Sequence, residues 1–236
     1  MKIKDKVIII TGASMGIGKA IAELLGGEGA HIVLAARKEA ELKKVAEKIS
    51  GAHIVRTDMT SVKDIDNLIA ETLKKFGRID VLVNNAGQGI YGAVENTNIE
   101  NYRRIFELNV VGPLIAMQKV IPIMRKQGGG TIINISSMVS KAYYPYLGAY
   151  ASTKYALNAL SLTARAELEK DNIIINIMLP GMTDTDFGKN ALKSDAVAKA
   201  MESRTRVGMP TPDSPEYIAG RVKHAIETGE AETLAH

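Results

Sequence analysis

The sequence predicts an α/β fold with a doubly wound parallel sheet in one domain, and three observations carry that prediction. Short β-branched runs alternate with longer stretches of helical period. A glycine-rich turn joins the first run directly to the first helical pattern. The 236 residues are 46% hydrophobic, enough for a substantial core, and no repeat, low-complexity tract or linker divides them.

The elements follow in order. Residues 7–10 form the first strand, an apolar run after three lysines that is too short for the core of a secretory leader. Helical and strand patterns then alternate: helix 20–26, strand 31–35, helix 39–49, strand 53–56, helix 62–76 and strand 81–83. After a long polar-apolar stretch through residue 125 come strand 131–135, helix 150–169 and strand 173–178. Helices of this length between strands imply parallel pairing with right-handed crossovers and helices on both faces, a three-layer arrangement. Past Pro180 the pattern loosens, and residues 182–212 read as a mobile segment on the substrate side, amphipathic around 191–201. Ser214 and Pro215 supply an N-cap and a first-turn proline for a last helix ending near Gly229, leaving 230–236 as a short tail.

Composition narrows the function classes. The absence of cysteine excludes disulfides, thiolate catalysis and cysteine-ligated metals, and it points to a cytoplasmic setting. The net charge is +4, but 30 basic residues are interspersed with 26 acidic ones, which describes a mixed solvated surface and no nucleic-acid stripe. No uninterrupted apolar segment approaches the roughly 20 residues that span a bilayer, so no membrane insertion is expected. His31, His53, His224 and His236 show no metal-binding spacing.

In a doubly wound sheet, ligands bind at the carboxyl ends of the strands, so the residues after each strand are the candidates. After the first strand comes Thr11-Gly12-Ala13-Ser14-Met15-Gly16-Ile17-Gly18. Glycines at such a turn let backbone approach a pyrophosphate and let the helix pack close, with its N-terminus facing the anion. About 20 residues further on, an acid would bond the adenosine 2′-hydroxyl of NAD. Here the segment reads Ala35-Ala36-Arg37-Lys38, and Arg37 is placed to grip a 2′-phosphate, the alternative being a solvated helix start.

The T-G-x-x-x-G-I-G turn, together with Asn84-Asn85-Ala86-Gly87 after the strand 81–83, resembles the short-chain dehydrogenase/reductase family, densely over residues 3 to about 188. The resemblance implies a Rossmann-type fold and a nicotinamide dinucleotide cofactor, with Ala36 where NAD-binding relatives carry the acid and Arg37 beside it favouring NADP(H). Cofactor contacts would come from Gly12, Ser14, Met15, Gly16, Ile17 and Gly18, and from Asn85, Ala86 and Gly87 near the adenosine ribose. Met15 stands where many NADP-preferring relatives carry a second basic residue. Asp58 and Met59, after the third strand, fall beside the adenine, although Asp58 equally suits the N-cap of a turn.

Tyr150 and Lys154, four apart on a helix, share one face, so a phenol and an ammonium converge on one volume. A neighbouring cation favours the phenolate and brings the phenol toward acid–base work near neutrality. By the resemblance, Tyr150 is the general acid/base and the Ser137 hydroxyl holds the substrate oxygen. Asn109 supports a water reaching Lys154, a role that can coexist with a buried amide satisfying backbone. Ser136 is expected to point away from the site, since side chains alternate at a strand end. By the same resemblance, Tyr150, Lys154, Pro180, Gly181, Thr183 and Thr185 would also contact the cofactor, Thr183 and Thr185 facing the nicotinamide carboxamide.

The implied reaction is interconversion of a carbonyl and an alcohol by hydride transfer, on a small-molecule substrate. Candidate pocket residues are 88–91, Met138, an apolar wall at 143–146, Met182 and Phe187. A β-ketoacyl carrier-protein reductase is the nearer alternative. Gly128 and Asp171 occupy the positions where many of those enzymes carry carrier-binding arginines, with Arg125 and Lys126 close by. An inactive NADP(H)-binding sensor or scaffold is the alternative of another class. Relatives usually assemble through the helices near Tyr102 and Tyr150, so a homo-oligomer, dimer or tetramer, is expected.

Overall fold

The computed structural model describes residues 1–194, 197 and 211–235. Its order is β1 (Val7–Thr11), α1 (Gly16–Gly27), β2 (His31–Ala36), α2 (Glu39–Ala46), β3 (His53–Arg56), α3 (Val62–Phe76), β4 (Val81–Asn84) and a short β5 (Ile90–Tyr91). There follow α4 (Ile99–Phe106), a π-helical turn (Glu107–Val111), α5 (Gly112–Lys126), β6 (Gly130–Ile135), α6 (Gly148–Glu167) and β7 (Ile173–Leu179). A short β8 (Leu192–Lys193), α7 (Pro215–Thr228) and β9 (Glu232–Leu234) complete the described chain.

Seven strands form one parallel sheet in the order β3-β2-β1-β4-β6-β7-β9. Side chains of successive strand residues leave opposite faces, and the two cores divide accordingly. Ile8, Ile10, Ile32, Leu34, Val81 and Val83 pack with α1 and α7, whose Leu25, Ile218 and Val222 close that side. Ile9, Val33, Leu82 and Ile132 pack the other face against α3 and α5. Burial on both faces explains why these strands read as unbroken apolar runs.

The chain lays β2 and β3 on one side of β1, then crosses to β4 on the other, so the switch in direction falls between β1 and β4. The glycine turn and the Asn84–Gly87 segment therefore flank one crevice at the strands' carboxyl ends.

Two expectations are corrected, and a stretch left without bounds acquires them. The tail at 230–236 contains a strand: β9 pairs with the end of β7, Ile177 against Glu232 through Leu179 against Leu234. The expected helix 20–26 begins earlier, at Gly16, which places its first turn on the crevice. The stretch before residue 125 is a 28-residue helical run, Ile99–Lys126, interrupted by the π turn. That run is long and apolar enough to cross a membrane by length and composition, but Ile105, Val110, Met117, Val120 and Met124 on it are core residues. Of the segment expected to be mobile, residues 195–196 and 198–210 lie outside the described residues.

Gly112 opens α5 directly beneath the Met59 carbonyl, which a Cβ there would overlap. Gly112→Ala is expected to lower stability by about 1–3 kcal/mol, the usual cost of overpacking a closed site. The midpoint of a denaturant titration reads this directly, and an unchanged midpoint would mean that the close approach carries no strain.

Candidate active site

The glycine turn is held open from below. Asn85 Nδ2 donates to the carbonyls of Thr11 (2.9 Å) and Gly12 (3.2 Å), while Thr11 Oγ1 accepts from the amides of Asn85 and Ala86. Gly12 sits at φ +66, and a Cβ on it would lie 2.9 Å from Ala86 Cα. Asn85 thus braces the turn with its side chain.

Met15, 41% exposed, precedes α1 without capping it, and the first turn carries no acid. The leading N–H groups of α1 therefore face the crevice with no carboxylate competing for them, which suits a pyrophosphate. Across the crevice, Thr185 lies 3.2 Å from where a Cβ on Gly16 would stand. Pro180, whose carbonyl accepts from Met138 N (2.9 Å), and Gly181 lead into Thr183, which bridges to Asp213. Ser14 and Ile17 fall within the same turn and first helical residues.

At the β2–β3 side of the crevice, a cavity of about 260 Å³ is lined by Arg37, Asp58, Thr60, Gln88, Arg104 and Leu108. Asp58 Oδ1 accepts from both the amide and the hydroxyl of Thr60 (3.0 and 2.8 Å), so it does build a turn. Burial pushes its carboxyl up, but the Thr60 bonds with Arg37 and Arg56 outweigh that and hold it below the usual range. The Met59 side chain belongs to the core at 4% exposure, which leaves only its backbone for a cofactor. Arg104 escaped the sequence reading, and Gln88, expected on the substrate pocket, lines this cavity instead. Arg104 Nη2 donates to Gln88 Oε1 (3.2 Å), and Gln88 Nε2 reaches the Asn190 carbonyl (2.7 Å) across the cleft. No motif announces Arg104.

The catalytic candidates converge at the other end. Tyr150 is 6% exposed at the start of α6, with Phe187 tilted against its ring at 5.6 Å and Tyr91 edge-on at 6.4 Å. Burial drives the phenol well above its ordinary range, Tyr91 adds to that, and a hydrogen bond with Ser137 pulls it back. Lys154, one turn along, places Nζ 5.8 Å from the Tyr150 ring centroid and donates to the Ile135 carbonyl (2.8 Å). Burial lowers its pKa to about 8. Ser137 follows β6 and caps the 3-10 turn Met138–Ser140, while Ser136 points the other way to Asn158.

Asn109 lies in the π turn, a distortion frequent at functional sites. Its side chain pinches Gln88, accepting from the amide and donating to the carbonyl (3.0 Å each), and donates to Thr153 Oγ1 (3.1 Å). Gly87 passes so close that a Cβ would stand 3.2 Å from Asn109 Oδ1 and 3.7 Å from Lys154 Nζ. The amide is thus spent on backbone and on α6.

The wall expected at 143–146 does not form around the phenol. Tyr143 is 92% exposed and stacks on Tyr155, and Tyr144 and Tyr146 are half exposed. Tyr91, Ile90, Phe187 and Leu192 pack there instead, brought together by the pairing of β5 with β8. Among the described residues, no cluster of histidine and acid side chains could hold a metal.

A bare helix N-terminus at a switch-point crevice, with a buried Tyr–Lys pair beyond it, defines a dinucleotide-binding α/β oxidoreductase. The sequence signature described as short chain dehydrogenase matches residues 6–196, and the chain belongs to the short-chain dehydrogenase/reductase family. It is similar to an uncharacterized oxidoreductase of Staphylococcus saprophyticus, 36% identical over 219 residues, covering 84% of this chain and 89% of that one. Among solved structures it resembles an alcohol dehydrogenase of Thermococcus sibiricus complexed with 5-hydroxy-NADP (27% identity, TM-score 0.85, 98% and 96% of the chains covered). It also resembles a 7α-hydroxysteroid dehydrogenase complexed with NADH and a 7-oxo bile acid conjugate (31%, TM-score 0.84, 95% and 88%). Its structural neighbours thus bind both forms of the nicotinamide cofactor.

Proposed function

We propose that this protein is an NADP(H)-dependent oxidoreductase that interconverts a small ketone or aldehyde and its alcohol, with Tyr150 as the general acid/base. The observation that carries the reading is the Tyr150 phenol, buried, bonded to Ser137 and one helical turn from Lys154 at the end of the crevice. The bound nicotinamide supplies or accepts the hydride. Tyr150 Oη gives its proton to the substrate oxygen in reduction and takes it back in oxidation. Ser137 Oγ donates a hydrogen bond to that oxygen as charge develops on it. Lys154 stabilises the phenolate that remains. The apolar rings of Tyr91 and Phe187 exclude water and receive the substrate's carbon skeleton.

Ala36 at the end of β2 leaves no acid to meet a ribose hydroxyl, and Arg37 on the adenosine cavity offers a guanidinium to a 2′-phosphate. The carrier-protein reading is disfavoured because Arg125 is paired with Asp171 (2.6 Å), so neither side chain offers free charge to an acidic partner. A homo-oligomer through the long helices fits a family whose members are commonly oligomeric.

The test is oxidation of NADPH and of NADH against ketones, diketones, aldehydes and ketoacyl thioesters. NADPH-dependent turnover of a small carbonyl supports the reading, and binding of neither cofactor would defeat it. A pH dependence accompanies it. Lys154 is an ammonium below about 8 and neutral above. Reduction is therefore expected to slow as pH rises through about 8, where the charge opposite the phenolate disappears. The same limb should be missing from the profile of Lys154→Met, and a native profile without it would refute this role for the ammonium.

A further inference from the structure

A helix lying on a sheet ordinarily turns an apolar stripe toward it. On α6 the face turned to the end of β6 is polar: Lys154, Asn158 and Ser161, spaced so that they share one side. Each meets the strand end at a different level. Lys154 Nζ donates to the Ile135 carbonyl, Ser161 Oγ accepts from Asn134 Nδ2 (2.7 Å), and Asn158 engages the residues on either side of Ser137.

The bonds at Asn158 have a direction. Ser136 Oγ donates to Asn158 Oδ1 (2.6 Å), Asn158 Nδ2 donates to Ser140 Oγ (2.8 Å), and Ser140 Oγ donates to the Ser137 carbonyl (2.6 Å). Ser136, Ser140 and Asn158 are 3%, 2% and 8% exposed, so no bulk water substitutes for a missing partner. A hydroxyl has one proton to give, so the chain closes only if the side chain at 158 accepts at one atom and donates from the other. An amide does this. A carboxylate cannot donate, and a leucine does neither.

We infer that Asn158 is a positioning residue: through Ser136 and Ser140 it fixes the segment carrying Ser137 in register with the helix carrying Tyr150. It lies two turns beyond Tyr150, about 12 Å along the helix axis, and acts through the backbone of Ser137. The inference rests on the reading of Ser137 and Tyr150 given above.

The experiment compares kcat and KM for Asn158→Asp, Asn158→Leu, Ser140→Ala, Ser137→Ala and the double variant Asn158→Leu/Ser137→Ala. The substrate is whichever carbonyl of the panel the native chain reduces fastest, and NADPH affinity is measured alongside by fluorescence. Asn158 variants are expected to lose about ten- to hundredfold in kcat, less than outright removal of an oxyanion donor, with NADPH affinity within about twofold. Residues that act through one another are not additive, so the double variant should be no slower than Ser137→Ala. Ser140→Ala removes one oxygen and little packing, and it gives the same readout should the Asn158 variants fail to fold. Multiplying losses in the double variant, or native kcat in Ser140→Ala, would overturn the inference. Native turnover in Ser137→Ala would instead strike the reading of the site itself, and no turnover by the native chain would do the same.

Discussion

Replacing Tyr150 by phenylalanine is expected to slow carbonyl reduction by about 10²–10⁴-fold, the range of a general acid in place, while NADPH binds as before. The ring keeps its contacts with Phe187 and Tyr91, so the substitution removes a proton and an oxygen and little packing. Steady-state rates beside NADPH fluorescence titration separate the two effects. Parallel loss of binding would mean that the phenol holds the cofactor rather than the proton. The buried phenol stays protonated through neutral pH because burial raises its pKa. The resting phenol therefore holds the proton that carbonyl reduction requires.

The second large effect concerns the cofactor. Arg37→Ala should weaken NADPH by about 10–100-fold and leave NADH nearly unchanged, since a hydrogen bond to a charged group contributes about 1.5–3 kcal/mol. Adding Ala36→Asp places a carboxylate at the end of β2, where it bonds a ribose hydroxyl and repels a 2′-phosphate. The pair should invert the preference. Calorimetric titration with both cofactors decides it, and equal losses for NADPH and NADH in Arg37→Ala would remove the guanidinium from the phosphate. Arg104, on the same cavity, remains in both variants.

The sheet was legible because β1, β2, β4, β6 and β7 are buried on both faces and so carry unbroken β-branched runs. β9 was not, since three residues, Glu232–Leu234, are too few for any period to show and their partner β7 lies more than fifty positions earlier. The glycine turn and the Tyr150–Lys154 pair were legible because chemistry requires those residue types at fixed spacings. Asn158 and Arg104 carry no such constraint. Their placement follows from how α4, α6 and the strand ends meet, which spacing along the chain does not encode. Tyr143 misled because an aromatic cluster near a site reads as pocket lining, whereas its ring stacks outward on Tyr155.

The most direct test of the account is a single turnover: the protein loaded with NADPH is mixed with its best carbonyl, and the loss of reduced nicotinamide is followed in the native chain and in Tyr150→Phe. The account predicts one equivalent of NADPH consumed rapidly by the native protein and a trace that stays flat on that timescale in the variant, with the cofactor bound in both. Consumption at the native rate in Tyr150→Phe would contradict it.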